Sequence, residues 1–183
     1  MKESEIKLPI RDLSAAQRQI SELSAVVRKH RHFEDNLLFD TPERSVRAQR
    51  RLLRVRIVNG AGLLTFKEQA DLSTGIKVRE EIETEVSSPK ELIEVLHRLG
   101  FEVFFRYQKY RTIFEIPGVP LHFCLDETPI GNYFELEGEP DQIHLYAERL
   151  GYTPQDYITA SYAGVYLSWC KQNGRQPGDM IFS

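Results

Sequence analysis

Cysteine is scarce in this chain: Cys124 and Cys170 lie far apart without metal-ligand spacing. Neither a disulfide framework nor a cysteine-held metal is expected, and both read as reduced, packed thiols. Long apolar runs are missing as well. Nothing approaches the roughly 20 residues that cross a bilayer, and the first residues lack the apolar segment of a secretory signal. A cytoplasmic protein with no membrane partner is the expectation. There is no basic excess either, since the net charge is −3, which argues against a nucleic-acid partner. Internal repeats, low-complexity tracts and Pro/Gly-rich linkers are absent, so residues 1–183 read as a single domain, monomeric or homodimeric.

What is present is a regular alternation of strand and helix signals. Residues 3–9 read as a strand, and a capping-box pattern from Ser14 to Gln17 opens a helix expected to reach about Lys29. Strands follow over 33–39, 52–58, 63–68 and 77–86, with a turn at Asn59-Gly60-Ala61-Gly62. A helix begins at Pro89 and ends near Gly100, and further strands cover 104–116, 121–126 and 133–137. Helical spacing over 141–150 and 161–173 closes the series, giving about eight strands and four helices, with the last helices packed against the sheet.

The strands share one peculiarity. Glu3, Glu5 and Lys7 alternate with Ser4, Ile6 and Leu8, so charge lies on one face and apolar groups mainly on the other. A half-exposed antiparallel strand gives the same alternation, but here it recurs in every strand except the second. Arg54 and Arg56 alternate with Leu53, Val55 and Ile57; Lys67 shares a face with Thr65; Arg79, Glu81 and Glu83 share another. Lys109 pairs with Arg111, Asp126 follows an apolar strand, and Glu135 and Glu137 flank Leu136. An open sheet would leave this face in water, whereas a closed barrel would gather the charges around a central cavity.

Like charges two residues apart on a strand stand roughly 6 to 7 Å from one another and repel unless something lies between them. Carboxylates so placed ask for a cation, and hard oxygen ligands without His or Cys suit Mg²⁺ or Mn²⁺. The basic set asks for an anion, because Arg and Lys clamp phosphoryl oxygens through charge-assisted hydrogen bonds. Tyr162, Tyr166 and Trp169 on the last helix read as docking residues without a catalytic role.

At this point the residues carry a resemblance. Glu3-Ser4-Glu5-Ile6-Lys7 resembles the ExExK signature of the CYTH family, the triphosphate tunnel metalloenzymes. Leu53-Arg54-Val55-Arg56, Leu64-Thr65-Phe66-Lys67, Arg79-Glu80-Glu81-Ile82-Glu83, Lys109-Tyr110-Arg111, Leu125-Asp126 and Phe134-Glu135-Leu136-Glu137 follow in that family's order. The resemblance implies an α+β fold: an eight-stranded antiparallel β-barrel, the triphosphate tunnel, with helices packed outside. It implies Glu3, Glu5, Asp126, Glu135 and Glu137 as metal ligands for Mg²⁺ or Mn²⁺. It implies Lys7, Arg54, Arg56, Lys67, Arg79, Lys109 and Arg111 as the triphosphate clamp. Glu81 and Glu83, with Lys7, take the catalytic role, the two glutamates orienting a water or binding a second metal. The substrates implied are tripolyphosphate, ATP or another organic triphosphate. Hydrolysis is the preferred reading, and the alternatives are class IV adenylate cyclisation of ATP to cyclic AMP and a non-catalytic polyphosphate or nucleotide sensor. Leu37-Leu38-Phe39-Asp40-Thr41 departs from the Tyr-Tyr-Asp-Thr of thiamine triphosphatases, which argues against thiamine triphosphate as substrate.

Overall fold

Eight antiparallel strands close on themselves in the order β1-β5-β4-β3-β2-β6-β7-β8, and the helices lie outside this barrel. The computed structural model describes residues 2–73 and 75–183. The strands are β1 (Lys2–Ile10), β2 (Val26–Asp40), β3 (Leu52–Val58), β4 (Ala61–Lys67), β5 (Lys77–Val86), β6 (Glu102–Glu115), β7 (Leu121–Thr128) and β8 (Gly131–Gly138). The helices are α1 (Leu13–Glu22), the single turn α2 (Ser45–Ala48), α3 (Pro89–Arg98), α4 (Pro140–Arg149) and α5 (Tyr162–Gln172). The expected closed barrel is therefore present. No helix among the described residues is long and apolar enough to cross a membrane.

The alternation seen in the sequence decides which side of the wall each residue occupies. On β1, Ile6 and Leu8 point outward and are fully buried beneath α1 and α4, where Phe123, Phe134, Leu136, Ile143 and Ala147 complete the largest apolar cluster. A second cluster joins Phe39, Val55 and Leu96 where α3 covers β3 and β4. The third joins Phe105, Tyr107 and Tyr162 under α5, with Met180 of the C-terminal segment pairing alongside β6. Each fully buried side chain of this size contributes about 1.5 to 3 kcal/mol. The helices thus supply the dry core that a barrel with a charged interior cannot provide for itself.

Local chemistry explains the connections. Asn59 and Gly60 have φ of 50° and 85°, so a two-residue turn joins β3 to β4, shorter than the four-residue turn expected. Two other expectations need correction. The capping box at Ser14 does not form: Asp12 caps α1 instead, its carboxylate accepting from the Ser14 N–H at 2.8 Å. The helix also ends at Glu22 rather than near Lys29, because Ser24 turns the chain with φ of 55°. Val26 and Val27 then pair with Glu115 and Phe114 of β6. Long-range pairing of β-branched residues outweighs the local helical pattern there, and β2 grows to 15 residues.

Candidate active site

Barrel closure brings the two charged strands at the ends of the order side by side. Glu5 stands opposite Glu137 and Lys7 opposite Glu135 across the β1–β8 ladder. Glu3, Glu5 and Lys7 are 8%, 5% and 2% exposed, so their charge is held away from bulk water and must be answered locally. Lys7 Nζ lies 3.3 Å from Glu135 and 3.6 Å from Glu5. Lys67 bridges Glu3 at 2.6 Å and Glu81 at 2.8 Å. Arg79 reaches Glu3 at 3.4 Å and Glu5 at 3.5 Å. Arg54 donates to the Thr65 hydroxyl at 3.1 Å and to Glu83 at 3.4 Å, and the same hydroxyl donates to Glu83 at 2.7 Å. Arg111 grips Asp126 through two bonds of 2.6 Å and reaches Glu135 at 2.5 Å.

Every residue expected to bind metal or phosphate, Asp126 excepted, lines one cavity of about 130 Å³ inside the barrel. That is well above the roughly 10 to 15 Å³ needed to admit a water, so the charged interior has not collapsed on itself. Asp126 lies behind this wall at 0% exposure, accepting from Lys109, Arg111 and Tyr162.

Sequence reasoning missed several members. Lys77 shares the face of Arg79 and ion-pairs with Glu5; its position two residues before Arg79 was a usable signal. The second strand does contribute, contrary to expectation: Glu34 and Asn36 point inward at 2% and 0% exposure. Glu34 lies 3.6 Å from both Arg56 and Lys109. The reading of Tyr162 as a docking residue alone is also corrected, because it lines the cavity. No strand periodicity could reveal it, since it arrives from α5. Tyr166 and Trp169 do dock, stacking together at 6.2 Å on the outside.

The acidic side chains differ sharply in charge. Burial, opposed by Arg111 and Lys7, leaves Glu135 far below the usual carboxylate range, because the cations prevail. Burial and the neighbouring charges of Glu3, Glu135 and Glu5 push Glu137 up to about 7, and Glu137 makes no ion pair among the described residues. Glu81 is pushed up to about 8 by burial and its hydrogen bond with Glu3. Lys77 and Glu34 leave the interior balanced in formal charge. Once Glu81 and Glu137 hold protons near neutral pH, the balance tips toward a cationic tunnel.

Among the described residues no three His, Cys, Asp or Glu side chains are grouped so as to hold a metal ion. Of the expected ligands, Glu3, Glu5 and Glu135 are engaged by Lys67, Lys77, Arg79, Lys7 and Arg111, while Glu137 makes no ion pair among the described residues; carboxylates of this kind are the hard oxygen donors that Mg²⁺ takes together with waters and substrate phosphates.

The same barrel is found in solved proteins. A protein of Pyrococcus horikoshii is 27% identical with a TM-score of 0.74, the match covering 87% of this chain and 96% of that one. A candidate adenylate cyclase of Vibrio parahaemolyticus shares the fold at TM-score 0.77 and 20% identity, over 91% of this chain and 97% of its own. A Hippeastrum protein described as a candidate adenylyl cyclase with a dominant triphosphatase activity is 23% identical at TM-score 0.67, over 97% and 98% of the two chains. No curated protein matches the sequence. Residues 1–162 match the CYTH domain, and with the closed barrel and its charged interior this chain belongs to the CYTH family.

Proposed function

We propose that this chain is a divalent-metal-dependent triphosphatase that holds its substrate inside the barrel. The observation carrying this reading is a cavity in which unsatisfied cationic donors oppose an unpaired carboxylate. The Nε–H groups of Arg54 and Arg56 are buried without hydrogen-bond partners, and Glu137 faces the same space. Phosphoryl oxygens would satisfy those donors, and buried donors left unmet cost about 1 to 3 kcal/mol each. The Hippeastrum protein's triphosphatase activity supports the preference for hydrolysis.

In this reading Lys7, Arg54, Arg56, Lys67, Arg79, Lys109 and Arg111 hold the triphosphate and neutralise charge gathering on its oxygens. Glu3, Glu5, Glu135 and Glu137 would hold Mg²⁺ or Mn²⁺, and the ion would supply a Lewis acid for the phosphoryl oxygens. Asp126, its oxygens occupied by Lys109, Arg111 and Tyr162, aims two of the clamp cations instead of standing in the open site. Glu83, which accepts from Thr65, and Glu81, which pairs with Lys67, would orient an attacking water in this reading.

The test is to supply Mg²⁺ or Mn²⁺ with tripolyphosphate or ATP and resolve the products. Release of terminal phosphate is the expected result. Cyclic AMP with pyrophosphate would make the chain a cyclase, and tight binding without any product would make it a sensor.

A further inference from the structure

Glu5 is the expected metal ligand most heavily answered by positive charge. Lys77, Lys7 and Arg79 all address its Oε1 oxygen, Lys77 in direct contact and the other two at 3.6 and 3.5 Å. Across the β1–β8 ladder the facing carboxyl of Glu137 makes no ion pair among the described residues. Two neighbouring expected ligands are therefore in opposite conditions, one crowded by cations and the other bare.

The three cations on Glu5 are not equivalent. Lys7 also pairs with Glu135, and Arg79 with Glu3, so each is tied between two carboxylates. Lys77 pairs with Glu5 alone among the described residues, directly across the β1–β5 ladder. It is buried, yet it lines the interior cavity together with the proposed clamp. A lysine ammonium is a point charge on a flexible four-carbon stem, so it can turn from Glu5 to a phosphoryl oxygen without leaving that space. A divalent ion on Glu5 would stand beside this ammonium, and like charges so close in a poorly screened interior repel strongly. Departure of Lys77 leaves Glu5 with Lys7 and Arg79, so the buried carboxylate is not orphaned.

We infer that Lys77 is a place-holding cation for the metal site: it neutralises Glu5 in the metal-free protein and turns to a phosphoryl oxygen when metal and triphosphate load together. The inference rests on the triphosphatase reading above and adds an order to it. Metal binds poorly before the triphosphate, and by linkage each ligand strengthens the binding of the other. A lysine that served only as one more member of the clamp would hold phosphate without restraining the metal.

The experiment is titration of Mn²⁺ without any triphosphate, read from the electron paramagnetic resonance signal of the free ion, on the unaltered protein, Lys77→Met and Arg56→Ala. Lys77→Met is expected to bind Mn²⁺ at least fivefold more tightly than the unaltered protein, a gain that misfolding cannot produce. Arg56→Ala also removes a positive charge from the cavity, but from beside Glu34, which is not an expected ligand, so it should change the affinity less than twofold. In chelator, calorimetry should show tripolyphosphate binding severalfold more weakly to Lys77→Met. Equal Mn²⁺ affinity in Lys77→Met and the unaltered protein, an equal gain in Arg56→Ala, or unchanged tripolyphosphate affinity in Lys77→Met overturns the place-holding role, while metal-dependent turnover keeps the triphosphatase reading. Turnover of the unaltered protein that is insensitive to chelator overturns both.

Discussion

The phenol of Tyr162, carried by an outer helix, donates to the carboxylate of Asp126 at 2.5 Å inside the barrel wall. Asp126 in turn orients Lys109 and Arg111, and the Tyr162 ring lies 5.1 Å from the Lys7 ammonium and 4.9 Å from that of Lys109. One helix residue therefore helps position three cations of the proposed clamp. Burial, followed by the charge of Asp126, raises the phenol well above its ordinary pKa, so it remains a donor.

Tyr162→Phe keeps the ring but removes this donor from a buried carboxylate. We expect a stability loss of about 1.5 to 3 kcal/mol, the usual range for hydrogen bonds to charged groups. The KM for triphosphate should rise severalfold as Lys109 and Arg111 lose their fixed orientation. Tyr162→Leu, which also removes the ring beneath the two lysines, should be worse in both respects. Denaturant unfolding and steady-state kinetics on the two variants check this, and Phe behaving like the unaltered protein would remove Tyr162 from the positioning role.

How far this architecture was legible depends on where each residue's face is set. Ile6 and Leu8 against Glu5 and Lys7 could be read directly, because a strand of period two assigns every side chain once its register is known. Closure of the barrel turns those faces into inside and outside. Glu34 and Asn36 obey the same alternation but were hidden by the apolar residues Phe33, Leu37 and Phe39 around them. Asp126 belonged to the right face, yet its depth behind Arg111 depends on packing between strands. The α1–β2 boundary was misplaced because Val26 and Val27 are decided by their partners on β6, more than 80 positions away in the chain.

Asp40 offers a stability test away from the tunnel. Its carboxylate accepts from the backbone N–H groups of Thr41, Val46 and Arg47 and from the Arg47 side chain, the last at 2.6 Å. Burial opposes ionisation, but these bonds, led by Arg47, hold its pKa below the ordinary value. A depressed carboxylate stabilises the fold above its unfolded-state pKa, and the contribution is lost as pH falls through the folded-state value. Asp40→Asn should therefore cost about 1 to 3 kcal/mol at pH 7, and the gap from the unaltered protein should narrow as pH drops below about 4. Urea unfolding of both proteins across that range gives the answer, and a gap independent of pH would contradict it.

Glu137 separates the proposed metal site from the fold. Because it makes no ion pair among the described residues and burial already favours its neutral form, Glu137→Gln removes a ligand without orphaning a cation. Turnover should fall at least a hundredfold while the melting temperature stays unchanged or rises. The same loss should appear in the unaltered protein when a chelator is added, and it should reverse with Mg²⁺ or Mn²⁺. Full activity of Glu137→Gln would take this carboxylate out of the metal site, and turnover insensitive to chelator would remove the metal from the mechanism.

Arg56 is half-buried in the wall of the interior cavity, its Nε–H without a hydrogen-bond partner and 3.6 Å from Glu34. Removing it deprives a phosphoryl oxygen of a charge-assisted donor that acts in the ground state as well as in the transition state. Arg56→Ala should therefore raise KM at least tenfold and change kcat less. Its loss also leaves Glu34 with Lys109 as its remaining clamp cation, so an excess anionic charge then faces the substrate and the effect should exceed that of Arg56→Ala in a Glu34→Gln background. Kinetics on both single variants and the double variant measure that coupling. Additive effects would mean that Glu34 and Arg56 are not coupled in binding, and an unaltered KM in Arg56→Ala would place the phosphates elsewhere in the barrel.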